Sequence, residues 1–322
     1  MSGNLRAVAD FSPADTVMLA DVLEGLAQPQ KSVPSLYFYD RRGSELFDAI
    51  TGLPEYYPTR TEISILEAHG TAMAKAIGPG VRLIELGSGS AIKTALLLAR
   101  LDAPAAYVPV EISRDHLLEA AARIAAEFPQ LEVLPVNADF TEPFDLPQPR
   151  RSAVRRNVAF FPGSTIGNFP RPMAAELLRA TRREVGSGGA MLVGADLKKD
   201  PVILERAYND SAGVTAQFNL NLLVRLNREL GADFEVAAFR HQAVWDEEHS
   251  RIEMRLISER AQTVCIAGRC FEFAAGEVLV TEYSHKYSLE AFQALAEATG
   301  FWVSRVWTDA AGLFSVQLLE AG

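Results

Sequence analysis

An alternation of strand-like and helix-like runs is the feature that most constrains how this chain can fold. Between residues 61 and 197, five short apolar runs, such as residues 81–86 and 106–112, alternate with longer segments of helical periodicity. Strands and helices that alternate at this spacing are typical of a mostly parallel sheet covered by helices on both faces. The sequence therefore predicts an α/β fold.

The pattern changes after Leu197. Residues 201–230 have mostly helical periodicity, and four strand-like segments with short polar turns follow between residues 234 and 284. Such a succession of strands predicts an antiparallel meander. This stretch therefore interrupts the α/β unit and is expected to belong to a second domain.

The α/β pattern resumes near the carboxyl terminus. A helix-like run is followed by strand-like residues 301–307 and 313–319, and the turn-like sequence between these two runs suits antiparallel neighbours. Five strands plus this pair give a Rossmann-like sheet of seven strands, which resembles the class I methyltransferase fold. The predicted domains are a sheet domain of residues 61–196 and 287–322, and an α+β substrate-binding domain of residues 10–60 and 197–286.

Composition and charge exclude several function classes. Hydrophobic residues make up 48% of the chain and charged residues 22%, which is ordinary for a globular protein. The net charge of −10 disfavours nucleic acid, and the arginines of residues 150–156 are expected in a solvated loop. The apolar runs are too short to span a membrane. The amino-terminal residues carry too many acids for a signal peptide. We expect a cytoplasmic monomer acting on a small molecule.

Cysteine and histidine usage gives two further expectations. Cys265 and Cys270 are the two cysteines of the chain and imply no disulfide framework, which suits a reducing compartment. The five histidines show no metal-ligand spacing with one another or with the cysteines. We therefore expect no metal site.

The turn after the first predicted strand, in the sequence ELGSGSAIKT, is suited to a ligand. Gly87 allows a tight turn, and Gly89 lets the backbone approach a bound molecule. A dinucleotide fingerprint would place a third glycine at position 92, where this chain has Ile92. The pair of glycines by itself is also compatible with a purely structural turn.

Two further predicted strands end in residues that suit an adenosine. Glu111 ends the second strand, where a carboxylate can accept both ribose hydroxyls. Asp139 and Phe140 end the third, where an acid can accept an adenine amino proton beside an aromatic ring. The carboxyl ends of neighbouring parallel strands face one crevice. Because no phosphate-binding device accompanies them, these residues favour S-adenosylmethionine over NAD.

Longer motifs make the match more specific. The chain resembles the bacterial histidine Nα-methyltransferases of ergothioneine biosynthesis from about residue 30 to the carboxyl terminus. The motifs that carry this resemblance are FYDRRGSELFDAITGLPEYYPTRTE, ELGSGS, GSTIGN, DLKKD, AYNDSAGVTAQFN, LNRELGADF, IEM and TEYSHKY. That family transfers three methyl groups from S-adenosylmethionine to the α-amino nitrogen of histidine, which gives the betaine hercynine.

The resemblance also implies site residues. Asn168 and Tyr39 would be catalytic, with Tyr39 acting through a water as the candidate base. The implied cofactor contacts are Tyr39, Gly87, Lys93, Glu111, Asp139 and Phe140. The implied substrate contacts are Tyr56, Gly163, Asn168, Tyr208, Met254, Glu282 and Ser284. The family usually has aspartate where this chain has Glu111, and the extra methylene is expected to change reach more than chemistry.

The residue types suit these roles. Methyl transfer is an in-line displacement that depends mostly on alignment in a dry site. An asparagine after the fourth strand can accept a hydrogen bond from an N–H of the substrate amine, and it can also simply shape its loop. Glu282 and Ser284 are two apart on a predicted strand and share a face, so they can hold the two nitrogens of an imidazole. A solvent-facing row on an edge strand is the alternative.

Three other functions stay open at this point. A methyltransferase of the same fold could act on another amino acid or on an indole-bearing amine, which offers one donor and no acceptor to Glu282 and Ser284. A non-enzymatic adenosine-binding protein would bind the cofactor without turnover. An NAD-dependent oxidoreductase is disfavoured by Ile92.

Overall fold

The structure is a computed structural model that describes residues 4–11, 15–89 and 91–322. Ser90 of the glycine turn and residues 12–14, near the predicted start of the second domain, lie outside the described residues. The described chain forms two compact units. Unit 1 comprises residues 4–11, 58–198 and 286–322, and unit 2 comprises residues 15–57 and 199–285.

Helices and strands cover most of the described residues. The helices are α1 Asp15–Leu26, α2 Arg41–Thr51, α3 Tyr57–Ile77, α4 Ile92–Leu98, α5 Arg114–Glu127, α6 Arg171–Val185, α7 Pro201–Tyr208, α8 Val214–Leu230 and α9 Leu289–Glu297. The strands are β1 Ala9–Phe11, β2 Val81–Leu86, β3 Ala106–Glu111, β4 Glu132–Val133, β5 Val136–Ala138, β6 Arg156–Phe161, β7 Ala190–Asp196, β8 Phe239–Asp246, β9 Arg251–Ser258, β10 Gln262–Ile266, β11 Arg269–Phe273, β12 Val278–His285, β13 Phe301–Thr308 and β14 Phe314–Ala321.

Unit 1 is built on a nine-stranded sheet of order β1-β5-β3-β2-β6-β7-β14-β13, with β4 paired to β3. The pairs from β1 to β7 are parallel, whereas β14 runs antiparallel to β7 and to β13. Two clusters of buried apolar side chains pack on the two faces of this sheet, because side chains of alternate strand residues point to opposite faces. The predicted mostly parallel α/β fold is confirmed.

The prediction of seven strands is wrong by two. Residues 9–11 form β1 beside β5, so residues 10 and 11, which we placed at the start of the second domain, contribute to unit 1. The predicted third strand is divided into β4 and β5 at Leu134 and Pro135, since proline has no N–H for the ladder. The two units divide between residues 57 and 58, 198 and 199, and 285 and 286.

Unit 2 combines α1, α2, α7 and α8 with two small sheets. β12, β9 and β8 form an antiparallel sheet in that order, and β10 and β11 form a separate two-stranded hairpin. The predicted continuous meander is therefore wrong, because β12 returns to pair with β9 and leaves the hairpin outside the ladder.

The two cysteines face each other in this hairpin. Cys265 of β10 and Cys270 of β11 are direct cross-strand partners with Cα atoms 4.1 Å apart, and they form a disulfide. The expectation that the cysteines imply no disulfide is corrected at this pair. Their five-residue separation in sequence did not predict this pairing. The two cysteines become partners because the tight turn at Ala267 and Gly268 brings the two strands into register.

No helix within the described ranges is both long enough and apolar enough to cross a bilayer.

Candidate functional site

The glycine turn follows β2 in unit 1. Gly87 has a φ of +75°, which residues other than glycine rarely adopt. Its N–H donates to the Val110 carbonyl at 2.9 Å. Ser88 is 3% exposed, and its Oγ has no hydrogen-bond partner among the described residues. The turn therefore offers a sharp backbone bend and an unsatisfied hydroxyl, and both suit a bound ligand.

Glu111 fixes the turn to the end of β3. Its Oε2 accepts from the Gly89 N–H and its Oε1 from the Ser113 N–H, both at 3.2 Å. Burial raises the pKa of Glu111, and these two N–H groups lower it in part. Asn137 of β5 donates its amide to the carbonyl oxygens of Glu111 and Ile112. The carboxylate is thus held by backbone donors at the strand end.

Asp139 and Phe140 follow β5, the neighbour of β3 in the sheet. Asp139 Oδ1 accepts from the N–H and the hydroxyl of Thr141 at 2.8 and 2.6 Å. The ring of Phe140 packs edge-on against Phe161 and Phe169, and it lies close enough to Gly87 that an added Cβ there would be 3.5 Å from the ring. Four of the predicted cofactor residues therefore end or follow the adjacent strands β2, β3 and β5.

Lys93, the fifth predicted cofactor residue of unit 1, is held by a residue that the sequence did not identify. Its Nζ lies 2.6 Å from Oε2 of Glu62, which is fully buried in α3. The same carboxylate oxygen accepts the Gly163 N–H at 2.8 Å. An acid in a helix usually indicates an exposed face, so nothing in the sequence marked Glu62 as a site residue.

A buried acid also lies beneath the glycine turn. Glu85 of β2 is 1% exposed and accepts hydrogen bonds from the hydroxyls of Thr94 and Tyr107. Burial raises the pKa of Glu85 to about 8, although these hydroxyls and the nearby charge of Lys93 lower it. The network ties β2, β3 and α4 together below the turn.

The motif GSTIGN follows β6. Gly163 and Ser164 begin this loop, and Asn168 ends a short 3₁₀ helix, Thr165–Asn168. Ser164 Oγ accepts from the Asp196 N–H at 2.9 Å and anchors the loop to β7. Asn168 is half-buried, and within the described ranges its amide makes no hydrogen bond to the protein. The amide is therefore available to a ligand.

Unit 2 contains a small pocket with mostly apolar walls. Glu282 and the tyrosine hydroxyls give it a small number of polar groups, as in sites that bind small polar molecules. The residues that line it are Phe47, Ile50, Tyr56, Ala207, Tyr208, Thr215, Phe218, Met254 and Glu282. Four predicted substrate residues, Tyr56, Tyr208, Met254 and Glu282, are brought together here.

The fifth predicted substrate residue of unit 2 adjoins the same pocket. Ser284 lies two residues after Glu282 in β12, and its Oγ is 2.8 Å from the hydroxyl of Tyr208. Met254 of β9 is the cross-strand partner of Glu282. The structure therefore places an acid and a hydroxyl on one face of a buried strand. Both side chains are nearly inaccessible, which excludes the alternative of a solvent-facing row.

His241, to which the sequence analysis gave no role, contacts the backbone of Tyr208. The amide of Asn219 donates to Nδ1 of His241 at 2.9 Å and to the Arg255 carbonyl at 3.1 Å. Nε2–H of His241 therefore donates to the Tyr208 carbonyl at 2.8 Å. Burial lowers the pKa of His241, while the Tyr208 carbonyl and the charge of Asp210 raise it in part.

The two remaining predicted residues of interest are Tyr39 and Gly163. Tyr39 belongs to unit 2, where its ring packs edge-on against the pocket residues Phe47 and Phe218. Gly163 belongs to unit 1, in the loop described above. The wall residues Phe47, Thr215 and Phe218 were missed because apolar and small polar residues within helices ordinarily indicate packing. Across the described ranges, no three His, Cys, Asp or Glu side chains group as ligands for a metal ion.

The sheet order, the antiparallel terminal pair and the glycine turn define unit 1 as the class I methyltransferase fold, whose methyl donor is S-adenosylmethionine. A family model described as histidine-specific, SAM-dependent methyltransferase matches residues 18–321. The chain belongs to this family, and the resemblance seen in the sequence is confirmed.

Relatives in bacteria and fungi agree with this membership. The chain is 42% identical over 320 residues to histidine N-alpha-methyltransferase of Mycolicibacterium smegmatis, covering 97% of this chain and 98% of that protein. It is 42% identical over 303 residues to histidine N-alpha-methyltransferase of Mycobacterium tuberculosis, covering 92% and 93%. Ergothioneine biosynthesis protein 1 of Neurospora crassa is 31% identical over 287 residues, which are 86% of this chain and 32% of the fungal protein.

Proposed function

We propose that this enzyme transfers three methyl groups from S-adenosylmethionine to the α-amino nitrogen of L-histidine and releases the trimethyl betaine hercynine, a step of ergothioneine biosynthesis. The observation that carries the substrate assignment is the juxtaposition of Glu282, Ser284 and Tyr208 beside an otherwise apolar pocket. A carboxylate next to a hydroxyl pairs with the two ring nitrogens of an imidazole, one of which donates while the other accepts.

The residues of unit 1 fit the methyl donor. Glu111 would accept hydrogen bonds from its ribose hydroxyls. Its adenine would lie against Phe140, with the amino group donating to Asp139, and its methionine carboxylate would pair with Lys93. Gly87 would allow the backbone to approach it, and the unsatisfied Ser88 hydroxyl offers a further contact. When bound, S-adenosylmethionine supplies an activated methyl group on a sulfonium.

The chemistry asks the protein for alignment more than for a strong acid or base. The amide oxygen of Asn168 would accept a hydrogen bond from an N–H of the neutral amine and so direct the lone pair of the nitrogen towards the methyl group. The Gly163 segment would line the position of the amine. Tyr56 would donate to the substrate carboxylate, and Tyr208 would donate to Ser284 and so place that hydroxyl for the imidazole. Tyr39, through a water, is the group proposed to receive the proton that the mono- and dimethylammonium products each lose before the next methylation.

The reaction stops at three methyl groups for a reason that follows from Asn168. The mono- and dimethyl amines carry an N–H for Asn168 while they are protonated and have a reactive lone pair once neutral, so we expect them to stay bound at least as well as histidine. The quaternary product has neither an N–H for Asn168 to accept nor a lone pair to react, and it leaves.

The test is incubation of the purified chain with S-adenosylmethionine and a panel of amino acids, followed by mass spectrometry. We expect histidine to gain three methyl groups and to be preferred over tryptophan and phenylalanine. Preferred methylation of an indole-bearing amine would contradict the proposal, and so would binding of the methyl donor without any turnover. Light scattering on the same sample tests the expected monomer.

A further inference from the structure

The buried carboxylate of Glu62 joins two segments of unit 1 that carry proposed ligand contacts. One of its oxygens, Oε2, takes both the ammonium of Lys93 at 2.6 Å and the N–H of Gly163 at 2.8 Å. We propose that Glu62 is a positioning residue, which sets Lys93 for the methyl donor and the Gly163–Asn168 loop for the amine. This inference rests on the proposed function and adds a residue to it.

The arrangement of donors favours placement over stability as the role of Glu62. The side chain is 0% exposed, yet its Oε1 has no hydrogen-bond partner among the residues that the structure describes. A buried ion pair with an unsatisfied oxygen recovers little of its desolvation cost, so it contributes little net free energy of folding. What the carboxylate does provide is one fixed point for α4 and for the loop after β6.

Gly194 gives independent support. This glycine lies within the buried strand β7, where a residue without a side chain weakens packing and usually marks a close approach. A Cβ at this position would lie 2.1 Å from Oε1 of Glu62. The strand is therefore shaped to admit the carboxylate.

The ion pair with Glu62 leaves N–H donors of Lys93 for a ligand. An ammonium has three N–H donors, and one of them is directed to Glu62, which leaves two for a ligand. Lysine is a flexible point charge, so a fixed anion behind it restricts its position before a ligand arrives. Loss of that anion would release Lys93 and leave the Gly163 N–H without its acceptor.

The experiment measures S-adenosylhomocysteine binding by calorimetry and steady-state kinetics with histidine for E62Q, K93M and the double variant. E132Q is the matched control, because Glu132 is also a buried acid with an arginine and two backbone N–H partners but has no proposed ligand contact. We expect E62Q to weaken S-adenosylhomocysteine binding about tenfold and to raise KM for histidine, whereas E132Q changes neither. In the K93M background, E62Q should weaken binding less than about twofold further.

Other results would overturn the inference. If the fold-losses in S-adenosylhomocysteine affinity caused by E62Q and K93M multiply in the double variant, Glu62 does not act through Lys93. Equal losses of affinity in E62Q and E132Q would indicate general damage to the fold. If E62Q does not fold, G194A gives the same readout, because its methyl group displaces the carboxylate while Glu62 remains. Since the binding measurement needs no histidine turnover, failure of the proposed substrate leaves the test of Lys93 intact.

Discussion

The hydroxyl of Tyr208, the last residue of α7, lies 2.8 Å from the Oγ of Ser284 in β12. Both side chains are buried, with exposed fractions of 7% and 3%. A hydrogen bond between two buried hydroxyls is costly to break on one side, because the remaining partner loses its acceptor or donor. The pair therefore fixes a helix end and a strand at the pocket wall.

Substitution of this pair is expected to be non-additive. Y208F and S284A should each raise KM for histidine several-fold, and the double variant should raise it by less than the product of the two factors. The expected coupling is about 0.5–1.5 kcal/mol, the usual contribution of a hydrogen bond between neutral groups. Steady-state kinetics of the four proteins give the value.

Y37F is the matched control for the loss of a tyrosine hydroxyl. Tyr37 donates to Asp21 at 2.6 Å in the same unit but does not line the pocket. Its KM for histidine should equal that of the unmodified enzyme. Strictly multiplying factors for Y208F and S284A would show that the two hydroxyls act independently.

Glu282 is expected to determine substrate specificity. E282Q keeps the shape of the side chain but removes its charge, so KM for histidine should rise at least about tenfold. The imidazole is distant from the transferred methyl group, so kcat should change much less than KM, as expected for uniform binding. Discrimination between histidine and tryptophan should fall in parallel.

E277Q serves as the control for this substitution. Glu277 lies in unit 2 and forms an ion pair with Lys31, outside the pocket lining. Its KM should be unchanged. A large loss of kcat in E282Q with an unaltered KM would place Glu282 at the reacting atoms and contradict its assignment to the ring.

The sequence predicted the sheet better than the small domain, for a physical reason. Parallel strands buried on both faces are short, nearly continuous apolar runs. Such runs can be recognised from the local sequence alone, as in residues 81–86. β1 has one half-buried and two exposed residues and is a strand only because β5 is beside it. The pairing of β12 with β9 likewise depends on contacts distant in sequence.

The sequence could propose site residues where the chemistry follows strand ends or a long motif. Glu111 and Asp139 were accessible to such reasoning, and Glu282 and Ser284 were accessible through their two-residue spacing. Glu62 and His241 were not, because each acts through a partner more than 20 residues away in sequence, and a lone acid or histidine in an amphipathic segment carries no signal of that partner.

His241 should be neutral in the native protein. Burial lowers its pKa below the ordinary value of 6.5, and Asn219 donates to its Nδ1. The unfolded chain therefore binds more protons as the pH falls below 6.5, so the free energy of unfolding should decrease with acidification there. N219D replaces the donor with an acceptor and should raise the pKa of His241. Titration of the ring by NMR measures the pKa, and an unmoved value would show that Asn219 is not its partner.

Glu85 gives a pH dependence of opposite sign. Burial raises its pKa from 4.5 to about 8, so between these values the native state holds a proton that the unfolded state has released. This contribution to the free energy of unfolding is complete below pH 4.5 and is lost as the pH rises towards 8. E85Q keeps the side-chain size and removes the titration.

Urea unfolding of the unmodified enzyme and of E85Q at several pH values between 5 and 8 measures this effect. The difference in unfolding free energy, unmodified minus E85Q, should decrease steadily as the pH rises, since all other groups cancel. E132Q is the control: burial would raise the pKa of Glu132, but N–H donors from Arg150, Arg6 and Arg151 outweigh it and hold the pKa below 4.5. Its difference should therefore be constant over this range. A constant difference for E85Q would mean that the Glu85 carboxylate is already ionised in the folded protein, stabilised by Thr94 and Tyr107 more strongly than its burial disfavours it.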